Sequence, residues 1–448
     1  MKRAAQLLAL GLLVALLWGV WTARAAMQVA VGYSAKQLCS GVFVSGLPED
    51  FIQDLDIFPR MAILGPLLGS LKTHTDSDQG IVSASLLGVR AGAVNIDGQG
   101  CTLNAPGPGR PAQALVELNG AAVGAQGLPG VPQEWAIATD AAFAEPPSSA
   151  GARNTLALLV AVDSELKLER YRPPVTAQTP LQGWSMNKSL MATWVGMQTQ
   201  RGDLDPSQTL RTLLDGEPQA ADLDPRLTLL HLLQMESGLD FEEVYGPGSD
   251  VTRMLYTAPA MWKVPASREQ AYAPGAHFAY SSGDTVFASY LWQRSLKEPY
   301  TQWLAREFTS KLGISSLVAE ADVSGVQVGS SYAYLTARDW LRAGQLWLDA
   351  WHGRSPLLSQ RWLRDSVAPR PSDTQGRYGR GFWLNTGGVA FEGLPEELFY
   401  AGGNAGQYVV VIPAWEMVIV RLGLSDPGVD TGMHDFLRQL AADRARKA

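Results

Sequence analysis

The sequence predicts an α+β fold: an antiparallel sheet formed by strands from both ends of the main region, flanked by helices, with a mostly helical insertion. Three observations lead there. Asn154 to Val162 is continuously apolar, and past an Asp163-Ser164-Glu165 turn Leu166 to Tyr171 alternates, the pattern of a hairpin with one buried and one half-buried strand. A second hairpin ends the region: Tyr408 to Ile412, a turn at Pro413-Ala414-Trp415-Glu416, and Met417 to Leu422, followed by a helix from about Met433 to Arg444. Helical patterns fill the space between, so the two hairpins share one sheet and the helices pack against it.

Taken in order, the chain opens with Lys2 and Arg3, then an apolar run from Ala4 to Ala23 interrupted by Gln6, Gly11, Gly19 and Thr22. Arg24 closes it, and Ala23-Arg24-Ala25 has the small-x-small form of a signal-peptidase site. The run is also long enough to span a bilayer. Residues 1–26 are therefore a signal peptide or an N-terminal membrane anchor, and either places the rest in an exported, periplasmic or extracytoplasmic setting. Residues 27–150 read as a small strand-rich module, with strands at Gly80 to Leu87 and Ala91 to Ile96 and linker-like stretches at 103–111 and 145–152. Residues 151–448 form the main domain. Within it a helix runs from Ser185 to about Gln200, and another starts with Asp224 as cap and Pro225 at its first position, ending by Gly238.

Composition narrows the function. Hydrophobic residues are 46% and charged residues 18%, enough for a large core, and the net charge is −7 with no basic stripe. A nucleic-acid partner is excluded on that ground. Cys39 and Cys101 are the two cysteines and make at most one disulfide, which an exported chain favours over two buried thiols. The five histidines are scattered without metal-ligand spacing, so no metal and no cofactor is expected. No Gly-x-Ser-x-Gly elbow is present.

Ser185-Met186-Asn187-Lys188 carries the chemistry. Residues three apart share a helix face, so the Lys188 amine reaches the Ser185 hydroxyl. A serine needs such a base, and burial makes lysine serve. Ser164-Glu165-Leu166-Lys167 has the same spacing but falls in a hairpin turn, where Lys167 faces solvent. Downstream, Tyr280-Ser281-Ser282-Gly283 leads into a helix, and Gly402-Gly403-Asn404-Ala405-Gly406-Gln407 leads into a strand with glycines that permit close backbone approach.

Together these segments, with Leu232 to Gly238, Thr336-Ala337-Arg338-Asp339-Trp340 and Gly406 to Pro413, resemble the penicillin-recognising serine hydrolases over residues 150 to 445. The likeness is closest to the class C β-lactamase-like branch that holds 6-aminohexanoate-dimer hydrolases and related esterases. It implies a β-lactamase/transpeptidase-like fold, Ser185 as acylated nucleophile, Lys188 as general base, and Tyr280 as proton relay, its pKa lowered by Lys188. It implies an oxyanion hole from the N–H groups of Ser185 and Gln407, and substrate contacts from Ser282, Asn404, Gly406 and Tyr245. Ser282 stands where β-lactamases usually hold asparagine. Asn404 replaces the usual cation of the third motif, which disfavours a carboxylate there unless another residue such as Arg380 holds it.

The expectation is a serine hydrolase acting on a small ester or linear amide. The alternative is a weakly or non-catalytic penicillin-binding-like envelope protein that binds peptidoglycan-type peptides. Membrane contact is expected only through an uncleaved N-terminal segment, and the oligomeric state is left open.

Overall fold

The computed structural model describes residues 2–107, 109, 130–147 and 151–447, so the two linker-like stretches and the expected domain boundary fall partly outside the described residues. Helix α1 (Lys2–Phe43) opens the chain. Its first half is exposed at Leu7, Trp18 and Trp21, whereas Val31, Ala35, Leu38 and Cys39 in its second half are buried. Among the described residues no helix is long and apolar enough to cross a membrane. Strands β1 (Lys72–Asp76), β2 (Ile81–Leu86), β3 (Val89–Ile96) and β4 (Gly100–Leu103) follow as an antiparallel meander packed on α1.

The lead-in is therefore helical before it is strand-rich, and from Val29 to Gly41 α1 is buried on every side. A Cys39–Cys101 disulfide ties α1 to β4. Lys36 of α1 forms a buried ion pair with Glu320 and lies 4.0 Å over the Tyr332 ring. Glu320 also accepts from Ser40 Oγ at 2.9 Å and from the Cys101 N–H at 2.7 Å. Lead-in and main domain thus share one continuous core.

The main domain runs through β5 (Thr155–Val162), β6 (Glu165–Tyr171), β7 (Leu181–Gln182), α2 (Asn187–Gln200), α3 (Ser282–Ser295), β8 (Val318–Ala319), β9 (Ala333–Leu335) and α4 (Ala337–Trp351). It ends with β10 (Trp383–Leu384), β11 (Phe399–Gly403), β12 (Gln407–Ile412), β13 (Met417–Gly423) and α5 (Met433–Lys447). The main sheet is antiparallel in the order β10-β11-β12-β13-β5-β6, so β13 joins the C-terminal strands to the N-terminal hairpin with Ile419 opposite Val160. Alternation sends Leu159, Val409 and Val418 to the face under α4, and Leu158, Val160 and Ile419 to the face under α5 with Phe436 and Leu437. This is the expected α+β, β-lactamase/transpeptidase-like architecture.

The helix expected from Asp224 starts later than its sequence signals. Asp224 accepts from the Arg226 N–H in a turn, and the helix begins later, at Leu229, capped by Thr228 with His231 closing the box.

Candidate active site

The turn that carries Ser185 is pinched between two walls. A Cβ on Gly183 would stand 2.2 Å from Trp340 Cζ2, and one on Gly403 would stand 2.2 Å from the Gly183 carbonyl oxygen. Only glycine fits at either place. The Trp340 wall is itself fixed, since Thr336 caps α4 and Arg338 grips both oxygens of Glu169 on β6 at 2.7 Å. Between these walls the buried Trp184 takes φ 49°, a left-handed conformation that costs a non-glycine residue energy and so needs the surrounding packing to hold it. Ser185 follows in a short 3₁₀ turn (Trp184–Met186), and α2 begins at Asn187 rather than at the serine.

Lys188 lies one turn on, with 1% of its surface exposed. Its Nζ is 3.0 Å from Ser185 Oγ, 3.0 Å from Ser282 Oγ and 3.3 Å from the Ser330 carbonyl. Burial pushes its pKa down to about 8, with Glu243 pulling partly the other way. The spacing match at Ser164 and Lys167 is structural: Ser164 sits in the hairpin turn and Lys167 pairs with Glu165.

Tyr280 completes the group but not as expected. Burial raises its pKa, although Ser185 acts in the opposite sense. Lys188 does not lower it, because its Nζ lies over the ring face, 4.8 Å from the centroid. The ring stacks on Trp383 at 5.1 Å and meets Tyr378 edge-on at 5.6 Å. Tyr280 is therefore a phenol at neutral pH, a donor rather than a base.

Ser281 caps α3, and Ser282 beside it bonds to a residue the sequence did not reveal. Glu243 accepts the Ser282 hydroxyl at 2.6 Å with Oε1 and its N–H at 2.7 Å with Oε2. Glu243 stands in irregular backbone after Gly238, where no periodicity singles out a side chain. Burial raises its pKa above the usual carboxylate value, and Lys188 and Ser282 offset only part of that rise. Tyr245 exposes half of its surface, 50%, while its sunken hydroxyl end faces Ser282 and Glu243, and burial raises that hydroxyl's pKa.

Ser185 and Tyr280 open onto a cleft of 300 Å³ walled by Trp383, Tyr400 and Tyr408 and by Gly402, Gly403 and Asn404. No charged side chain lines it among the described residues. Asn404 is where the sequence placed it. Gly406 is not: a Cβ there would meet Arg421 Nη1 at 2.3 Å, on a buried guanidinium that also bonds Thr155 Oγ1 and Ser425 Oγ. Gln407 is also outside the cleft lining. With 1% exposure, its carboxamide donates to the Asn404 and Ala405 carbonyls and accepts from the Gly423 N–H, stapling the hairpin to β13. Because Gly403 pairs with Gln407 across the turn, β11 rather than β12 presents its end to Ser185. Arg380 is tucked 5.4 Å from the Trp362 ring and is absent from the lining. A larger groove of 510 Å³ between Lys311, Arg342 and Arg354 holds none of these groups.

A family model described as Beta-lactamase matches residues 139–443. No curated protein matches the chain. Among solved structures, EstCE1, a hydrolase with promiscuous acyltransferase activity, superposes with a TM-score of 0.56 at 15% identity over 69% of this chain and 98% of that one. A Bacillus anthracis protein assigned as a 6-aminohexanoate-dimer hydrolase gives 0.55 at 18% identity over 66% and 80%. A penicillin-binding protein homolog from Caulobacter crescentus gives 0.54 at 14% over 70% and 98%. These likenesses bear on the fold, while the family model spans the strands, helices and cleft that surround Ser185, and on that match the chain belongs to the Beta-lactamase family of hydrolases.

Proposed function

We propose that this protein hydrolyses a small, uncharged ester or linear amide through an acyl-enzyme on Ser185. The observation that carries the reading is the buried Lys188 amine 3.0 Å from Ser185 Oγ. Its pKa of about 8 leaves a usable fraction of neutral amine near neutral pH, which takes the Ser185 proton as Oγ attacks the acyl carbon. The developing oxyanion is held by the Ser185 N–H in the 3₁₀ turn ahead of α2 and by the backbone of Gly402–Gly403 at the end of β11, which lines the same cleft. Tyr280, protonated, donates to the leaving group. The Lys188 ammonium returns the Ser185 proton to the Tyr280 oxygen, and the neutral amine so restored takes a proton from the water that releases the acyl group.

The aromatic, uncharged cleft supports an uncharged substrate over a carboxylate-bearing β-lactam or peptide. The retained Ser185, Lys188 and Tyr280 set speaks against a role in binding alone. The basic start of the chain and the Cys39–Cys101 disulfide support an exported setting. Intact-mass spectrometry after a fluorophosphonate, a p-nitrophenyl ester and a β-lactam tests the proposal. A fluorophosphonate adduct that vanishes in Ser185→Ala is expected, and no adduct with any of the three reagents sinks it.

A further inference from the structure

Lys188 Nζ has three oxygen neighbours, Ser185 Oγ, Ser282 Oγ and the Ser330 carbonyl. To act as a base it must be the neutral amine, with two N–H bonds and one lone pair. Which oxygen receives the lone pair decides whether the base is aimed at the nucleophile. The Ser330 carbonyl has no proton, so it takes one N–H. Ser185 and Ser282 are both hydroxyls, each able to donate or accept, and nothing in their distances separates them.

Glu243 breaks that symmetry. A carboxylate only accepts, and it holds the single Ser282 hydroxyl proton at 2.6 Å while also binding the Ser282 N–H at 2.7 Å. Ser282 then turns only lone pairs to Lys188, which must give it the second N–H. The amine lone pair is left for Ser185. We infer that Glu243 is a positioning residue: by taking the Ser282 proton it fixes the hydrogen order Ser185→Lys188→Ser282→Glu243 and points the base at the nucleophile.

This rests on the Ser185–Lys188 reading of the site. In acylation the Ser185 proton passes to the Lys188 lone pair, Oγ bonds the acyl carbon and the carbonyl π pair moves onto its oxygen; that pair then returns, the bond to the leaving group breaks, and the leaving group departs with a proton from Tyr280. Glu243 gains and loses no proton. The arrangement also accounts for serine at position 282. An asparagine oxygen accepts from the lysine and cannot donate, and Ser282 with Glu243 reproduces that one-way character. Lys188, Asp284, Tyr245, Tyr280 and Tyr378 are the titratable groups that face Glu243. Burial favours the neutral form of Asp284 and of the three tyrosines, leaving Lys188 as the one group among them that is charged below about pH 8.

The test is single-turnover acylation by a p-nitrophenyl ester across pH, with KM determined in parallel. Glu243→Ala and the isosteric Glu243→Gln are each expected to lose about 10- to 100-fold in kcat, the lower part of what positioned proton transfer supplies. KM should stay within about twofold. The acid limb should move to lower pH in both, because a negative charge near Lys188 is gone. Adding Ser282→Asn to Glu243→Ala should recover most of the lost rate, since the carboxamide oxygen needs no partner to remain an acceptor. A wild-type rate with an unmoved limb in Glu243→Ala overturns the inference, as does a double variant no faster than Glu243→Ala. Ser185→Ala, run alongside, separates the two levels: turnover that survives it refutes the nucleophile itself.

Discussion

Gly403 at the end of β11 meets the carbonyl of Gly183 so closely that a Cβ there would come within 2.2 Å of the oxygen. Both sides of that contact are backbone, so neither can swing aside. Gly403→Ala must part β11 from the turn that carries Ser185, opening the wall opposite that serine. Acylation is expected to fall by about 100-fold, the scale of an ångström-sized misplacement. Single-turnover kinetics alongside circular dichroism would separate this from unfolding.

The pH profile should have one limb. Lys188 works as the neutral amine, so kcat/KM should rise through about pH 8 and level off above it. Burial raises the Tyr280 pKa, so its ionisation adds no descending limb in the mildly alkaline range above the Lys188 limb. A bell with a descending arm near pH 9 would contradict the protonated Tyr280. Tyr280→Phe should lose about 100-fold in rate while keeping the Lys188 limb.

Burying Lys188 weakens the fold at neutral pH. Its folded pKa is about 8 against 10.5 for the free side chain. Below about pH 8 both states are protonated and the folded state bears the whole penalty, about 3 kcal/mol. The penalty fades as pH rises toward 10.5. Lys188→Met should therefore be inactive yet more stable at pH 7, by somewhat less than that figure because three hydrogen bonds are lost. Urea unfolding at pH 7 and pH 10 should show the gain at the first and its loss at the second.

The Cys39–Cys101 bond closes a loop of 62 residues, which corresponds to about 4 kcal/mol of chain entropy withdrawn from the unfolded state. Cys39→Ala/Cys101→Ala should lose stability on that scale in urea titrations. Neither residue lines the Ser185 cleft, so turnover at low temperature should be kept.

What was legible in the sequence were the parts governed by local periodicity. The hairpins at Thr155–Tyr171 and Gln407–Gly423 follow from alternation, the three-residue spacing brings Lys188 to Ser185, and Tyr280 sits where the family resemblance implied. Pairing across a turn was not legible. Glycines at 402, 403 and 406 look alike in a string, yet Gly403 faces the nucleophile's turn and Gly406 accommodates Arg421 on the far side. Glu243 was hidden for another reason: it reaches Ser282 from irregular chain, 39 residues away, and no repeat marks such a side chain. The pKa of Tyr280 depends on whether Lys188 meets its hydroxyl or its ring face, which spacing does not encode.

The family match begins at residue 139, but the folding unit does not. Glu320, deep in the matched region, has its counter-charge on Lys36 and takes further hydrogen bonds from Ser40 and Cys101. A chain started at the family boundary would strand that carboxylate in the core and strip the cation from the face of Tyr332. The first hundred residues therefore act as a built-in subunit, and the border drawn by descent cuts through an interface on which the hydrolase depends.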